Sequence, residues 1–182
     1  MLTIEFPEKE YFDDEKEEFF KMPAQKLQLE HSLISLDKWE KKWHIPFLSC
    51  ENMTAEQSID YIKCMTLNKN IDPMVYLRLT NKEFLQIRNY MNDPMTATTI
   101  TDPPGTKKNT NSEVLTSELI YYYMFANQIP KECEKWHLNK LIMLLRVFGV
   151  KNSPAKRMSK KDIYAQQRAL NAARRKKYHT KG

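Results

Sequence analysis

Apolar positions along this chain recur first at the spacing of strands and then, for most of its length, at the spacing of helices. From Met1 to Phe6, Leu2, Ile4 and Phe6 alternate with Thr3 and Glu5, the period of a half-buried strand, and Pro7 ends it. Glu10–Lys21 is charged and reads as a short helix or a loop. Leu27, Leu29, His31, Leu33 and Ser35 share one parity, which predicts a second short strand over Gln25–Ser35, although the pair Leu33–Ile34 interrupts the alternation.

Helical spacing takes over after that. Asp37 suits the N-cap of a short helix bearing Trp39 and Trp43 on one face, and Pro46 stops it. Thr54 with Gln57 three residues on makes a capping box ahead of Ile59, Ile62 and Met65, a helix that ends near Leu67–Asn70. Asp72-Pro73 opens a further helical turn through Val75–Leu79. Thr80 caps a helix whose stripe is Phe84, Ile87 and Met91, closed by Asp93-Pro94. Residues 96–101 are β-prone, and Asp102–Ser112 reads as an exposed loop. Thr116 or Ser117 caps a helix with Leu119, Ile120, Tyr123 and Met124 on its apolar face. Pro130 then starts a helix that Trp136, Leu138, Leu141, Ile142, Leu144, Leu145 and Phe148 nearly encircle. Being apolar on most sides, that helix is expected at the centre of the core. Ser159, with Asp162, caps an Ala-rich, basic last segment.

These elements predict a mainly α protein: a compact helical domain over residues 1–150 with a small N-terminal β element, and a basic helical arm over 151–182. The composition agrees with one ordinary domain, since 41% of 182 residues are apolar while the mean hydropathy is −0.67. Only 3 glycines occur, and neither standard phosphate-cradling loop is present, which argues against nucleotide chemistry. Charge is unevenly spread. Residues 1–23 hold 8 acids against 3 lysines, and residues 151–182 hold 11 Lys or Arg against Asp162 alone. Such ends can attract each other within a monomer or head to tail between copies, so self-association is among the expected interactions. Three widely spaced cysteines form no disulfide framework and favour a reducing compartment. The acidic N-terminus lacks the apolar core of a signal peptide, and the longest apolar run is far short of the roughly 20 residues of a membrane span. A soluble cytosolic protein with no membrane partner is expected.

Candidate chemistry is sparse. His31, His44, His137 and His179 make no metal-ligand motif. Cys133 and His137 have the spacing of two ligands on one helix face, but with no second pair a packed thiol and histidine is the favoured reading, and no metal or cofactor is expected. A Cys–His nucleophile lacks an orienting group, and the N-terminal acids read as a solvated face. Tyr121-Tyr122-Tyr123 cannot form one base-stacking platform, because consecutive helical residues point about 100° apart; one of them is expected in the core and the others at its rim. The strongest signal outside the core is basic: Lys160, Lys161, Arg168, Arg174, Arg175, Lys176 and Lys177. These residues suit docking to an acidic protein surface. Nucleic acid ranks second as a partner, because no aromatics are interleaved with them. No enzyme is expected.

Several blocks together carry a resemblance: MLTIEFPEKEYFDDEKEEF at the start, LEHSLISLDKWEKKWHIPFL near residue 30, DYIKCMTLN at 60–68, LTSELIYYYMFANQIPKECEKWHLNKLIMLLRV, and the closing RALNAARRKKYHTKG. In this order they resemble small tailed-bacteriophage proteins of the tail assembly chaperone family, over nearly the whole chain. The resemblance implies an assembly factor that binds the long tape measure protein, or other phage tail proteins, and keeps it soluble while tube subunits polymerise. It implies a place in the host cytoplasm during virion assembly. It carries no catalytic or ligand residues. A structural virion component of the tail tube, connector or completion type is the alternative, with a place in the virion tail, and a basic nucleic-acid-binding module is a third. The 10 methionines suit either an adaptable binding surface or core filling, the latter favoured.

Overall fold

The computed structural model describes residues 1–13, 17–100 and 113–152, together with 163–165, 167, 168, 171, 172, 175 and 179. Contacts divide the chain into two units, Met1–Gly149 and Val150–Gly182. The first is mainly α with a small β element at its N-terminus.

Four strands form that element: β1 (Leu2–Phe6), β2 (Lys9–Asp13), β3 (Glu18–Met22) and β4 (Gln25–Leu29). β1 pairs antiparallel with β4 from Leu2↔Leu29 to Phe6↔Gln25, and β2 pairs with β3 from Lys9↔Met22 to Asp13↔Glu18. Both ladders keep one register, so Pro7 falls opposite Ala24 and Glu8 opposite Pro23. Each proline removes a ladder donor, which splits a single ribbon into two short sheets. The described residues of Glu10–Lys21 are therefore not helical but belong to a distal pair of strands, the distal hairpin. Its adjacent aromatics, Tyr11-Phe12 and Phe19-Phe20, place one ring pair on each face, which hides the alternation that marks a strand.

The second expected strand also ends early. β4 stops at Leu29, and α1 (Leu33–Trp43) begins where Ser32, not Asp37, supplies the cap. Ser32 Oγ accepts the Ser35 N–H at 3.3 Å, while Ser35 Oγ accepts the Ser32 N–H at 2.9 Å. Parity persists to Ser32 because the backbone stays extended. Glu30 N–H donates to Met65 O at 2.9 Å, and His31 O accepts the Leu138 N–H at 2.7 Å.

The core follows from this stretch. Leu27, Leu29, Leu33, Leu36 and Trp39 are fully buried, joined by Tyr61, Ile62 and Met65 of α2 (Ala55–Met65) and Ile120 and Met124 of α4 (Ser117–Ala126). Capping behaves as the sequence predicts at Thr54, Thr80 and Thr116, where each side chain accepts from the first turn of α2, α3 (Asn81–Asn92) and α4. Asp72 likewise caps a 3-10 helix over Pro73–Arg78. No strand forms over 96–100.

Two expectations about the last third need correction. Pro130 opens only a 3-10 helix, Lys131–Lys135; Trp136 is extended, and α5 (Leu138–Asn152) starts later. Nor is α5 the central helix. Leu138 and Leu141 alone are buried in it, and Ile142, Leu144, Leu145 and Phe148 pack at the core's margin. α1 holds the centre instead, because it follows directly from the buried ribbon strand β4.

In the second unit, residues 163–165, 167, 168, 171, 172 and 175 are helical and exposed. Ser159, Asp162 and the 102–112 segment lie outside the described residues.

Candidate partner-binding surface

An open apolar groove lies where α2 and α3 meet the short 3-10 helix Phe47–Ser49. Pro46 fixes the chain's entry to that 3-10 helix. The Thr54–Gln57 and Thr80–Glu83 capping boxes set where α2 and α3 begin. Their apolar faces leave a cavity of about 600 Å³ between them, inside the roughly 300–1,000 Å³ span of small-ligand sites. Phe47, Tyr61 and Ile62 form its floor, and Met53, Phe84 and Met91 its half-buried walls. Leu85, 59% exposed, stands at the mouth with the charged Glu51 and Arg88.

The floor is rigid. Tyr61 stacks on Phe47 with centroids 3.9 Å apart, and Trp39 meets Phe47 edge-on at 5.2 Å. Trp39 Nε1–H donates to Gln57 O at 3.0 Å, tying α1 to α2. Beside it, Asp60 accepts from Lys42 Nζ at 2.5 Å and Trp43 Nε1 at 3.0 Å. Burial pushes the Asp60 carboxyl up, but these two donors outweigh it and hold it below the usual carboxylate range.

Behind the floor runs a buried polar chain. His31 Nδ1 and Tyr61 Oη are 2.6 Å apart, and the His31 ring meets His137 edge-on at 5.2 Å. His137 Nε2 lies 3.0 Å from Tyr90 O, and Tyr90 Oη–H donates to Glu30 at 2.6 Å. Burial, and secondarily the nearby His137, lowers His31 to about 3; burial also lowers His137. Both rings are therefore neutral and structural at neutral pH. Burial raises the Tyr61 hydroxyl and the Cys64 thiol, so neither of these two groups is activated as a nucleophile.

The four-residue spacing of Cys133 and His137 does not fall within one helix. Cys133 is in the 3-10 helix and His137 follows an extended residue, so they do not share one helix face. Among the described residues no three His, Cys, Asp or Glu are placed to hold a metal ion. Of the tyrosine run, none is fully buried: Tyr121 packs against the core, and Tyr122 and Tyr123 are exposed. Met65 and Met124 are core residues, whereas Met53 and Met91 line the groove.

Of the basic candidates, Arg168 and Arg175 are helical and exposed. Lys160, Lys161, Arg174, Lys176 and Lys177 lie outside the described residues. The groove residues were not picked out as a site by sequence reasoning. Phe84 and Met91 read as ordinary helix-stripe residues, and Met53 falls outside every predicted stripe. No helix among the described residues is long and apolar enough to cross a membrane. No protein family, characterised protein or solved structure matches this chain.

Proposed function

We propose that this chain is a non-enzymatic tail assembly chaperone of a tailed bacteriophage, acting in the host cytoplasm, and that the α2–α3 groove receives an amphipathic helical segment of the tape measure protein. The observation that supports the reading best is the groove itself. Its walls are Met and Phe, side chains that adapt to varied apolar partners. Its mouth carries Leu85 between an acid and a base, Glu51 and Arg88. A helix with an apolar stripe and flanking charges fits such a surface as a helix-in-groove partner. A long, largely helical protein awaiting assembly presents many such stripes and needs them covered. The block resemblance supplies the identity of that partner.

The test is a tagged pull-down from phage-producing cells, with virions removed beforehand and nuclease added. One very long phage protein is expected in the eluate, with this chain absent from purified virions. Recovery of tube or connector proteins, with the chain at stoichiometric copy number in particles, would instead make it a structural virion component.

A further inference from the structure

The distal hairpin β2–β3 makes no ladder with any other described strand, and both of its edges are free among the described residues. It is unusual in having no apolar side and no polar side. Tyr11 stacks with Phe20 at 5.8 Å on one face, and Phe12 packs with Phe19 at 4.9 Å on the other. Phe19 is 71% and Phe12 48% exposed. A two-stranded hairpin of this kind is marginal alone in water, so four exposed or half-exposed rings on it call for a cover.

Its mounting suits an arm. The ribbon is interrupted on both strands, at Pro7 and Pro23, and Arg78 fixes the junction by donating to Pro7 O while stacking over Phe6 at 5.2 Å. Beyond that junction Met22 alone is buried among the described residues.

Charge selects the cover. Residues 8–22 hold seven acids and three lysines, and Glu8, Glu10, Glu17 and Glu18 are exposed. A second identical hairpin would meet it with like charge, and so would nucleic acid. Residues 153–182 hold ten Lys or Arg and a single acid, interleaved with Met, Ile, Ala and Leu. Lysine and arginine also pack favourably on aromatic faces, as Lys9 does over Tyr11 at 5.0 Å.

We propose that the hairpin β2–β3 is a docking arm for the basic segment 153–182 of a second copy of this chain. One copy's arm takes the next copy's segment, a head-to-tail contact between two different surfaces. The contact does not involve the groove and does not depend on what the groove binds.

The test uses the full chain in sedimentation velocity across a concentration series at low and high salt. Wild type is expected to self-associate at low salt, with association falling as salt rises. Two charge-reversed chains are then compared. In the first, Glu10→Lys, Glu17→Lys and Glu18→Lys make the arm basic. In the second, Lys160→Glu, Lys161→Glu, Arg174→Glu, Arg175→Glu, Lys176→Glu and Lys177→Glu make the tail acidic. Each alone is expected to lose self-association by at least roughly tenfold, the sum of several weak charge pairs. Mixed together they are expected to associate again, because each arm now meets a tail of opposite sign. Phe12→Ser with Phe19→Ser removes one ring pair without changing charge and is expected to weaken association as well. A wild-type chain that stays monomeric throughout the low-salt series overturns the proposal. So does association that persists in both charge-reversed chains, or a mixture that fails to re-associate while both chains keep wild-type circular dichroism.

Discussion

Glu40, buried in the middle of α1, holds the first residue of α4: its Oε2 accepts the Ser117 N–H at 2.7 Å, across 77 residues of chain. Its other oxygen, Oε1, accepts the Phe47 N–H at 2.9 Å, the first residue of the 3-10 helix at the groove floor. One carboxylate thus satisfies an orphan donor at two helix starts, where negative charge is also favoured by the backbone dipoles. The arrangement fixes the groove floor and α4 against the same helix.

Removing that carboxylate leaves two buried N–H groups without a partner. Hydrogen bonds to charged groups contribute about 1.5–3 kcal/mol, and an unsatisfied buried donor costs about 1–3 kcal/mol. Glu40→Ala is therefore expected to lower the unfolding free energy by about 3–5 kcal/mol in urea titrations. Glu40→Gln keeps one acceptor and turns an NH₂ toward the other donor, so it should fall between wild type and Glu40→Ala. Equal stability of all three chains would remove this role from Glu40.

Acid should destabilise the fold through His31. Its folded value is lowered to about 3, first by burial and then by His137, whereas in the unfolded chain it titrates near the ordinary 6.5. The native state therefore binds fewer protons than the unfolded state between those values. The stability contributed by the neutral ring is fully present above about pH 6.5 and is lost as pH falls toward 3, at roughly 1.4 kcal/mol per unit. The lowered His137, whose ring faces Tyr90, and which feels Glu30, Asp93 and the N-terminal amine, acts in the same direction. Urea midpoints measured from neutral pH down to about pH 5 should drop with this slope. His31→Gln keeps a polar partner for Tyr61 and should flatten the profile; an unchanged slope in that variant would place the titrating group elsewhere.

The ribbon junction rests on Arg78, which reaches Pro7 O and covers Phe6. Arg78→Ala removes both contacts and leaves α1 and its core untouched. Amide exchange over β2 and β3 is expected to quicken, while the amides of α1 exchange as in wild type. Local opening of this kind belongs to the low-stability end of a fold. Uniformly faster exchange across both regions would mean that Arg78 supports the whole unit and not the arm alone.

Much of this architecture was legible locally. Thr54 and Gln57, three apart, mark the start of α2 because both sides of a capping box lie within four residues. Ser32 was missed as a cap because its reciprocal partner is Ser35 and not the usual Glu or Gln, and the shared parity of Leu27, Leu29, His31, Leu33 and Ser35 imitated a longer strand. The distal hairpin was missed because adjacent aromatics on both faces abolish a period of two. α5 looked central because its sequence is apolar on most sides, although only Leu138 and Leu141 of it are buried and the rest of its apolar side chains pack at the core's margin. Glu40 was out of reach: its partners are 7 and 77 residues away, and nothing near it in sequence announces them. The groove shares this property, since Phe47 and Met53 precede the α2 stripe, and Phe84 and Met91 belong to another helix.

That groove yields the sharpest functional prediction. Leu85 is exposed at its mouth and holds no buried position, so Leu85→Asp should change stability by no more than about 0.5 kcal/mol. Placing a carboxylate against an incoming apolar stripe should nonetheless weaken partner capture by roughly tenfold or more, the scale at which a central contact counts. Arg88→Glu, on the same helix face region but outside the apolar floor, should act through charge and lose its effect as salt rises. Both variants should keep wild-type circular dichroism and urea midpoints while recovering less of the long phage protein in pull-downs. If Leu85→Asp captures that protein as well as wild type, the partner surface is elsewhere, and the exposed aromatic face of α4, with Tyr122 and Phe125, becomes the next surface to substitute.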